Sequence, residues 1–250
     1  MAGRVHSVFT RCVNVAWHDR RLVAFHAPGP LAAPFAAALA EAADFGAIRA
    51  GDLVRRRGGA LRLGPLEVAL DGAARVDLSL PAAPDSSDLV AAALAALGPL
   101  PAAPALGSPR AVDAQAALAA AIQDGAPRRL VAAAMALIGL GEGLTPAGDD
   151  CVVGALAALH RFGAAGLFDA PARAELRRAV PAATTAIGGE FLLHALDGAF
   201  AEPIVALLAA EDAEAARRAA AELGRVGATS GADTLAGIRL ALEAIEARRT

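Results

Sequence analysis

The chain has 250 residues, 56% of them hydrophobic and 4% aromatic, with a formal net charge of −3. That length supports one large domain or two small ones around a real core and excludes a disordered chain. A chain with no global basic field has little to recruit nucleic acid or an acidic membrane, and the absence of lysine and tyrosine excludes Schiff-base lysines, P-loop lysines and tyrosine acid–base chemistry.

Any bound anion must therefore be met by arginine, backbone N–H groups or a metal. Cys12 and Cys151 match no zinc or CxxC spacing, and reduced thiols are the default. The longest apolar run, Leu130 to Leu140, is short of the ~18 residues a membrane span needs, and no apolar signal core opens the sequence. A soluble, cytoplasmic protein is expected.

In chain order, two strands are expected at Ser7 to Ala16 and Arg21 to His26, joined as a hairpin across Trp17-His18-Asp19. Asn14, the one asparagine, sits inside the first strand, where that residue is depleted; it either bonds a neighbouring backbone or contributes to a binding site. Pro28 to Pro34 reads as a turn and Phe35 to Ala43 as a short helix. From Gly51 to Leu80, short Val/Leu runs alternate with Gly-Gly, Gly-Pro and Asp-Gly breaks, the pattern of a small antiparallel sheet or partial barrel. Within it, Arg55, Arg56 and Arg57 read best as a solvated strand edge protected from aggregation by charge.

After a break at Pro81 to Ser87, Asp88 to Leu97 has helical spacing, and the proline- and glycine-rich residues 99–110 form a junction. Beyond it, helices are expected at Ala111 to Gln123, Arg128 to Ile138, Asp149 to Arg161, Ala172 to Val180, Thr185 to Ala199, Pro203 to Ala210, Glu211 to Leu223 and Ala232 to Arg248. The expected organisation is α+β: a β-rich region over 1–98, the junction over 99–110, and a helical region over 111–250.

The chemistry concentrates at Gly139 to Asp150, Gly-Leu-Gly-Glu-Gly-Leu-Thr-Pro-Ala-Gly-Asp-Asp, between two apolar segments. Glycines at alternate positions (Gly139, Gly141, Gly143) permit positive φ and close approach of another molecule. Thr145 is a candidate N-cap, Pro146 fits the first helical position, and Asp149 and Asp150 fall in the early turns favoured by the macrodipole. A well-capped helix explains part of this pattern. Such a loop is also the usual anion cradle, yet Glu142, Asp149 and Asp150 repel a bare anion. A divalent cation, Mg²⁺ foremost, reconciles the two, with Asp149, Asp150 and Asp233 as candidate ligands; metal and metal-free readings stand equal on the sequence.

Two later stretches share that chemistry. Thr229-Ser230-Gly231-Ala232-Asp233 repeats hydroxyl, glycine and carboxylate at a helix start, where an S-x-x-D capping box is the simpler explanation. Thr184-Thr185 again precede a helix, and Glu190 with His194 one turn later fits either an ion pair or a metal site.

These residues carry a resemblance to a bacterial family that includes AllH, the small subunit of oxamate carbamoyltransferase. Its carriers are Val13-Asn14-Val15, Leu22 to His26, Gly141 to Asp150 with the Gly-Leu-Thr-Pro-x-Gly-Asp-Asp string, Thr184-Thr185-Ala-Ile, Ala199-Phe200 with Pro203, and Thr229 to Gly237. The resemblance implies an assembly with FdrA-like and AllG-like subunits that moves a carbamoyl group between carbamoyl phosphate and oxamate. Family members commonly carry a histidine where this chain has Ala228, so any step that used it is lost or altered here.

Three readings follow. The first is a carbamoyltransferase subunit acting on oxamate, oxalurate or a related ureide, in a homo- or hetero-oligomer. Its catalytic candidates are Asp149, Asp150 and Asp233, and its substrate-binding candidates Asn14, Gly141, Gly143, Thr145, Thr184, Thr185, Thr229, Ser230 and Gly231. The second is a non-catalytic assembly or ligand-sensing subunit. The third is a Mg²⁺-dependent hydrolase with paired aspartates. The pocket is expected where the glycine loop, the Thr184 turn and the Thr229 turn converge, with Asn14 as a further candidate wall.

Overall fold

The computed structural model describes residues 2–18, 21–29, 32–84, 86–163 and 168–249. Parts of the two expected turns, at 19–20 and at 30–31, lie outside the described residues. Packing divides the chain into two compact units, Met1–Leu78 and Ser79–Thr250. The architecture is α+β, a sheet followed by helices.

In the first unit, β1 (Ala2–Val8), β2 (Cys12–Trp17), β3 (Leu22–His26), β4 (Ala36–Ala38), β5 (Leu53–Arg57), β6 (Ala60–Leu63) and β7 (Leu66–Ala69) form one sheet in the order β4-β3-β2-β1-β5-β6-β7. Every pairing is antiparallel except β3 with β4. The sheet is open, and its core gathers Val5, Val13, Val15, Phe25, Phe45, Ile48, Val54, Leu61 and Leu63.

Three expectations are corrected here. The single strand expected over Ser7 to Ala16 is two, because the chain turns after Val8 and closes with Phe9 N–H donating to Cys12 C=O at 2.8 Å. The helix expected at Phe35 to Ala43 is strand β4 and a loop. Its alanines favour helix, but the edge of β3 offers unpaired backbone groups that this segment satisfies, including Leu39 N–H to His26 C=O at 2.9 Å. The arginine run is not an edge, since β5 lies between β1 and β6 and Arg55 pairs in register with Arg62.

The second unit contains α1 (Ser87–Leu97), α2 (Pro109–Gln123), α3 (Pro127–Leu137), α4 (Ala147–Phe162), α5 (Ala170–Ala183), α6 (Ala186–Leu196), α7 (Glu202–Leu208), α8 (Ala213–Leu223) and α9 (Ser230–Arg249). Helix α1 packs on α8 and α9. Of the 99–110 stretch, residues 99–108 are coil with a 3-10 turn at Pro104–Gly107, and α2 begins at Pro109. Helices α2 and α3 start on prolines, which lack the N–H that the first turn would leave unpaired.

Helix α4 is the axis of this unit, buried on every side from Ala147 to Leu159. Its main partner is α9, and two glycines set how closely they approach. A Cβ at Gly154 would lie 2.1 Å from Thr234 O, and one at Gly237 would lie 1.9 Å from Cys151 O. The two backbones therefore touch, which brings the first turns of both helices side by side. No helix among the described residues is long and apolar enough to cross a membrane.

Candidate functional site

The glycine loop follows α3, and its glycines are not all required for the same reason. All of Gly139, Gly141 and Gly143 have positive φ. A Cβ at Gly139 would sit 2.4 Å from Ala183 O and one at Gly141 would sit 2.8 Å from Ala147 N, whereas Gly143 has open space around it. The first two are thus demanded by packing and backbone conformation, the third by conformation alone. Thr145 does not cap the following helix, contrary to expectation. Pro146 occupies the cap position without a side-chain bond, and α4 starts at Ala147.

Asp149 is consumed by holding this loop. One carboxylate oxygen accepts from Gly139 N–H at 2.7 Å, and the other accepts from the Thr184 hydroxyl. Thr184 ends α5, and Thr185 opens α6, where its Oγ1 accepts from Gly188 N–H at 3.0 Å while donating to Leu144 C=O at 2.5 Å. A Cβ at Gly188 would meet Asp149 Oδ2 at 2.2 Å, so any larger residue there would displace that carboxylate from its bonds. Burial pushes the Asp149 carboxyl above the usual range, against the opposing pull of Thr184 and Gly139.

Asp150 and Asp233 are placed differently. Both are buried, Asp233 with no exposed surface at all. Among the described residues, Oδ2 of Asp150 and both oxygens of Asp233 have no hydrogen-bond partner. Burial raises the Asp150 carboxyl to about 8; the Ser230 and Thr145 hydroxyls pull it down, while the charges of Asp233 and Asp149 add to the rise. Burial also raises Asp233, and the Thr229 hydroxyl opposes this without completing a hydrogen bond to either oxygen. Cys151, between them in sequence, is pushed up to about 12 by burial and by the charges of Asp233 and Asp150, so its thiol stays protonated.

The expected capping box at Ser230 is not formed either. Ser230 Oγ lies 2.9 Å from Thr145 Oγ1, and the Asp233 carboxylate bonds no backbone N–H. Gly231 serves packing, because a Cβ there would lie 1.8 Å from Leu223 O. The glycine loop, the Thr184 turn and the Thr229 turn nevertheless meet, as their hydrogen bonds require.

Residues 137–242 match the family model described as Oxamate carbamoyltransferase subunit AllH, and residues 1–76 match the AllH family N-terminal domain. The chain is AllH-like in both units. No curated protein and no solved structure matches it.

The segment of the AllH-like chain matched by the first model contains every residue of this cluster from Gly139 to Thr234. Asn14 belongs to the first unit, where its amide donates to Ser7 Oγ at 3.0 Å and its carbonyl oxygen accepts from Cys12 Sγ at 3.6 Å. Those bonds are the local role a strand asparagine needs. His194 Nε2 lies 3.8 Å from a Glu190 carboxylate oxygen, one turn away on α6. Among the described residues, no group of three or more His, Cys, Asp or Glu is disposed to hold a metal. The sequence missed how the loop is anchored: the Thr185 bond to Leu144 C=O and the Asp149 bond to Gly139 join residues whose pairing leaves no local trace.

Proposed function

We propose that this AllH-like chain is a subunit of a cytoplasmic carbamoyltransferase complex acting on oxamate, oxalurate or a related ureide, and that the cluster at the starts of α4 and α9 is its ligand site. The observation that carries the reading is the pair of buried carboxylates, Asp150 and Asp233, with unpaired oxygens beside the Thr145–Ser230 hydroxyl contact. Buried polar groups are nearly always paired, so three orphaned oxygens in one place mark where another molecule's donors belong.

In the forward reaction the amide nitrogen of oxamate attacks the carbamoyl carbon of carbamoyl phosphate. A C–N bond forms, the C–O bond to phosphate breaks, and the nitrogen loses a proton. The Thr145 and Ser230 hydroxyls and the N–H groups exposed by the loop at Gly141 and Gly143 are donors suited to the oxygen that gains charge. Asp150 contributes its unpaired Oδ2 to the same ligand site. Asp233 orients the amide through its two acceptors, Asp149 with Thr184 and Thr185 holds the loop in place, and FdrA-like and AllG-like subunits complete the assembly.

Calorimetric titration of the purified chain with carbamoyl phosphate, oxamate, oxalurate and phosphate tests the site. Saturable binding lost in Asp233→Asn supports it, as does loss of turnover by that variant in the reconstituted complex. Normal turnover by a complex built with Asp150→Asn and Asp233→Asn chains would reject catalysis here and leave an assembly or ligand-sensing subunit.

A further inference from the structure

The starting point is a buried pair of carboxyl groups with no cationic side chain paired to them among the described residues. Asp150 and Asp233 stand at the first turns of α4 and α9, which Gly154 and Gly237 hold in backbone contact. Among the described residues, no ion pair involves either carboxylate, and three of their oxygens have no partner. Leaving such oxygens dry and unpaired is costly, and the helix dipoles offset only a small part of that cost. Oxygens so placed call for a positive charge or several hydrogen-bond donors.

We propose that Asp150 and Asp233 hold a single hard divalent cation, Mg²⁺ by preference, with the Thr145 and Ser230 hydroxyls completing an all-oxygen set. The groups that act on Asp150 are the two hydroxyls and the carboxylates of Asp233 and Asp149, with no imidazole or thiolate among them. Oxygen-only sets select Mg²⁺, Ca²⁺ or Mn²⁺ over zinc and copper. Asp149 is left to hold the loop, since each of its oxygens already accepts a hydrogen bond, from Gly139 N–H and from the Thr184 hydroxyl.

The site thus has two carboxylates rather than three, in keeping with the absence of any three-ligand group among the described residues. Two carboxylates are what Mg²⁺ commonly takes from a protein, the remaining positions going to water and to substrate oxygens. Ca²⁺ asks for six to eight oxygens and a framework that can widen. Here backbone contact at Gly154 and Gly237 draws the first turns of α4 and α9 together, a compact frame that suits the smaller ion. This deepens the carbamoyltransferase reading and rests on it for its purpose: a cation there would meet the phosphoryl or carboxylate oxygens of the substrates and resolve how an acidic loop receives an anion.

The test uses the full chain stripped of metal by chelation, with Mn²⁺ as a paramagnetic probe whose free signal falls on binding. One Mn²⁺ per chain is expected, displaced by Mg²⁺, with affinity weakened about tenfold or more in Asp150→Asn and in Asp233→Asn. Asp124→Asn, at the exposed end of α2, should bind as the wild type does. Circular dichroism confirms that each variant folds, and a melting shift with Mg²⁺, present in the wild type and absent from both site variants, gives an independent readout. Absence of Mn²⁺ binding with and without carbamoyl phosphate and oxamate overturns the proposal, as does full binding by both site variants. Binding of those substrates without Mn²⁺ leaves the carbamoyltransferase reading standing and sinks the cation; Mn²⁺ binding without either substrate does the reverse.

Discussion

Thr145 Oγ1 and Ser230 Oγ lie 2.9 Å apart although 85 residues separate them in sequence. This contact ties the end of the glycine loop to the start of α9. Each hydroxyl was positioned by sequence to cap its own helix, and each instead bonds the other.

That pairing gives the first prediction. Thr145→Ala and Ser230→Ala should each lower stability by ~1 kcal/mol, and the double variant should cost less than the two added together, with a coupling of ~0.5–1.5 kcal/mol. Urea unfolding of the four proteins measures the cycle. Strict additivity would show that the two hydroxyls bond water or Asp150 independently.

A second prediction concerns Asp149, whose two hydrogen bonds tie Gly139 of the glycine loop to Thr184. Asp149→Ala strands Gly139 N–H and the Thr184 hydroxyl, and should cost ~2–4 kcal/mol. It should also open residues 139–144 to protease before the rest of the chain unfolds. Asp149→Asn retains one acceptor and should lose roughly half as much. Equal behaviour of the two variants, or a loop as resistant to cleavage as the wild type, would show that Asp149 anchors nothing.

Gly237 supplies a third. Glycine to alanine in an exposed helix gains about 1 kcal/mol from propensity. Here the new methyl would stand 1.9 Å from Cys151 O, a backbone atom of the buried α4, so the helices would have to part. Overpacking typically costs ~1–3 kcal/mol, and the net effect of Gly237→Ala should be destabilising. Because the same contact aligns Asp150 with Asp233, ligand binding should weaken as well. A stabilised variant would mean that α4 and α9 are not held this closely.

These relationships mark what the sequence could and could not show. Helices α2 to α9 were legible because proline and glycine punctuate them and apolar residues recur at helical spacing between the breaks. Strand β4 was not, because an alanine run prefers helix and only the open edge of β3 makes it a strand. The polar helix starts at Thr145, Thr185 and Ser230 stood out by composition. Which carboxylate would be satisfied and which orphaned did not, since that depends on the approach of α4 to α9 and of the loop to Thr184. A single substitution at Gly154, Gly188 or Gly237 would change the answer without altering any of the polar residues.

The last prediction follows from Asp150. Burial, opposed by the Ser230 and Thr145 hydroxyls and reinforced by Asp233 and Asp149, puts its carboxyl at about 8 in the folded chain, against 3.8 for an unperturbed aspartate. Between those values the folded state carries a proton that the unfolded state has released. Stability from this group is therefore fully present below the unfolded value, falls as pH rises, and levels off above the folded value. The limiting slope is about −1.4 kcal/mol per pH unit, and Asp149 and Asp233, both also raised, bend the curve in the same direction. Asp150→Asn cannot ionise, so the difference in unfolding free energy between wild type and variant should shift steadily against the wild type from about pH 5 to about pH 8 and then flatten. Urea unfolding in the presence of a chelator, so that no cation competes for the carboxylate, measures it. A difference that stays constant across that range would show that Asp150 is ionised throughout, and that the cluster already contains the positive charge or donors that its orphaned oxygens call for.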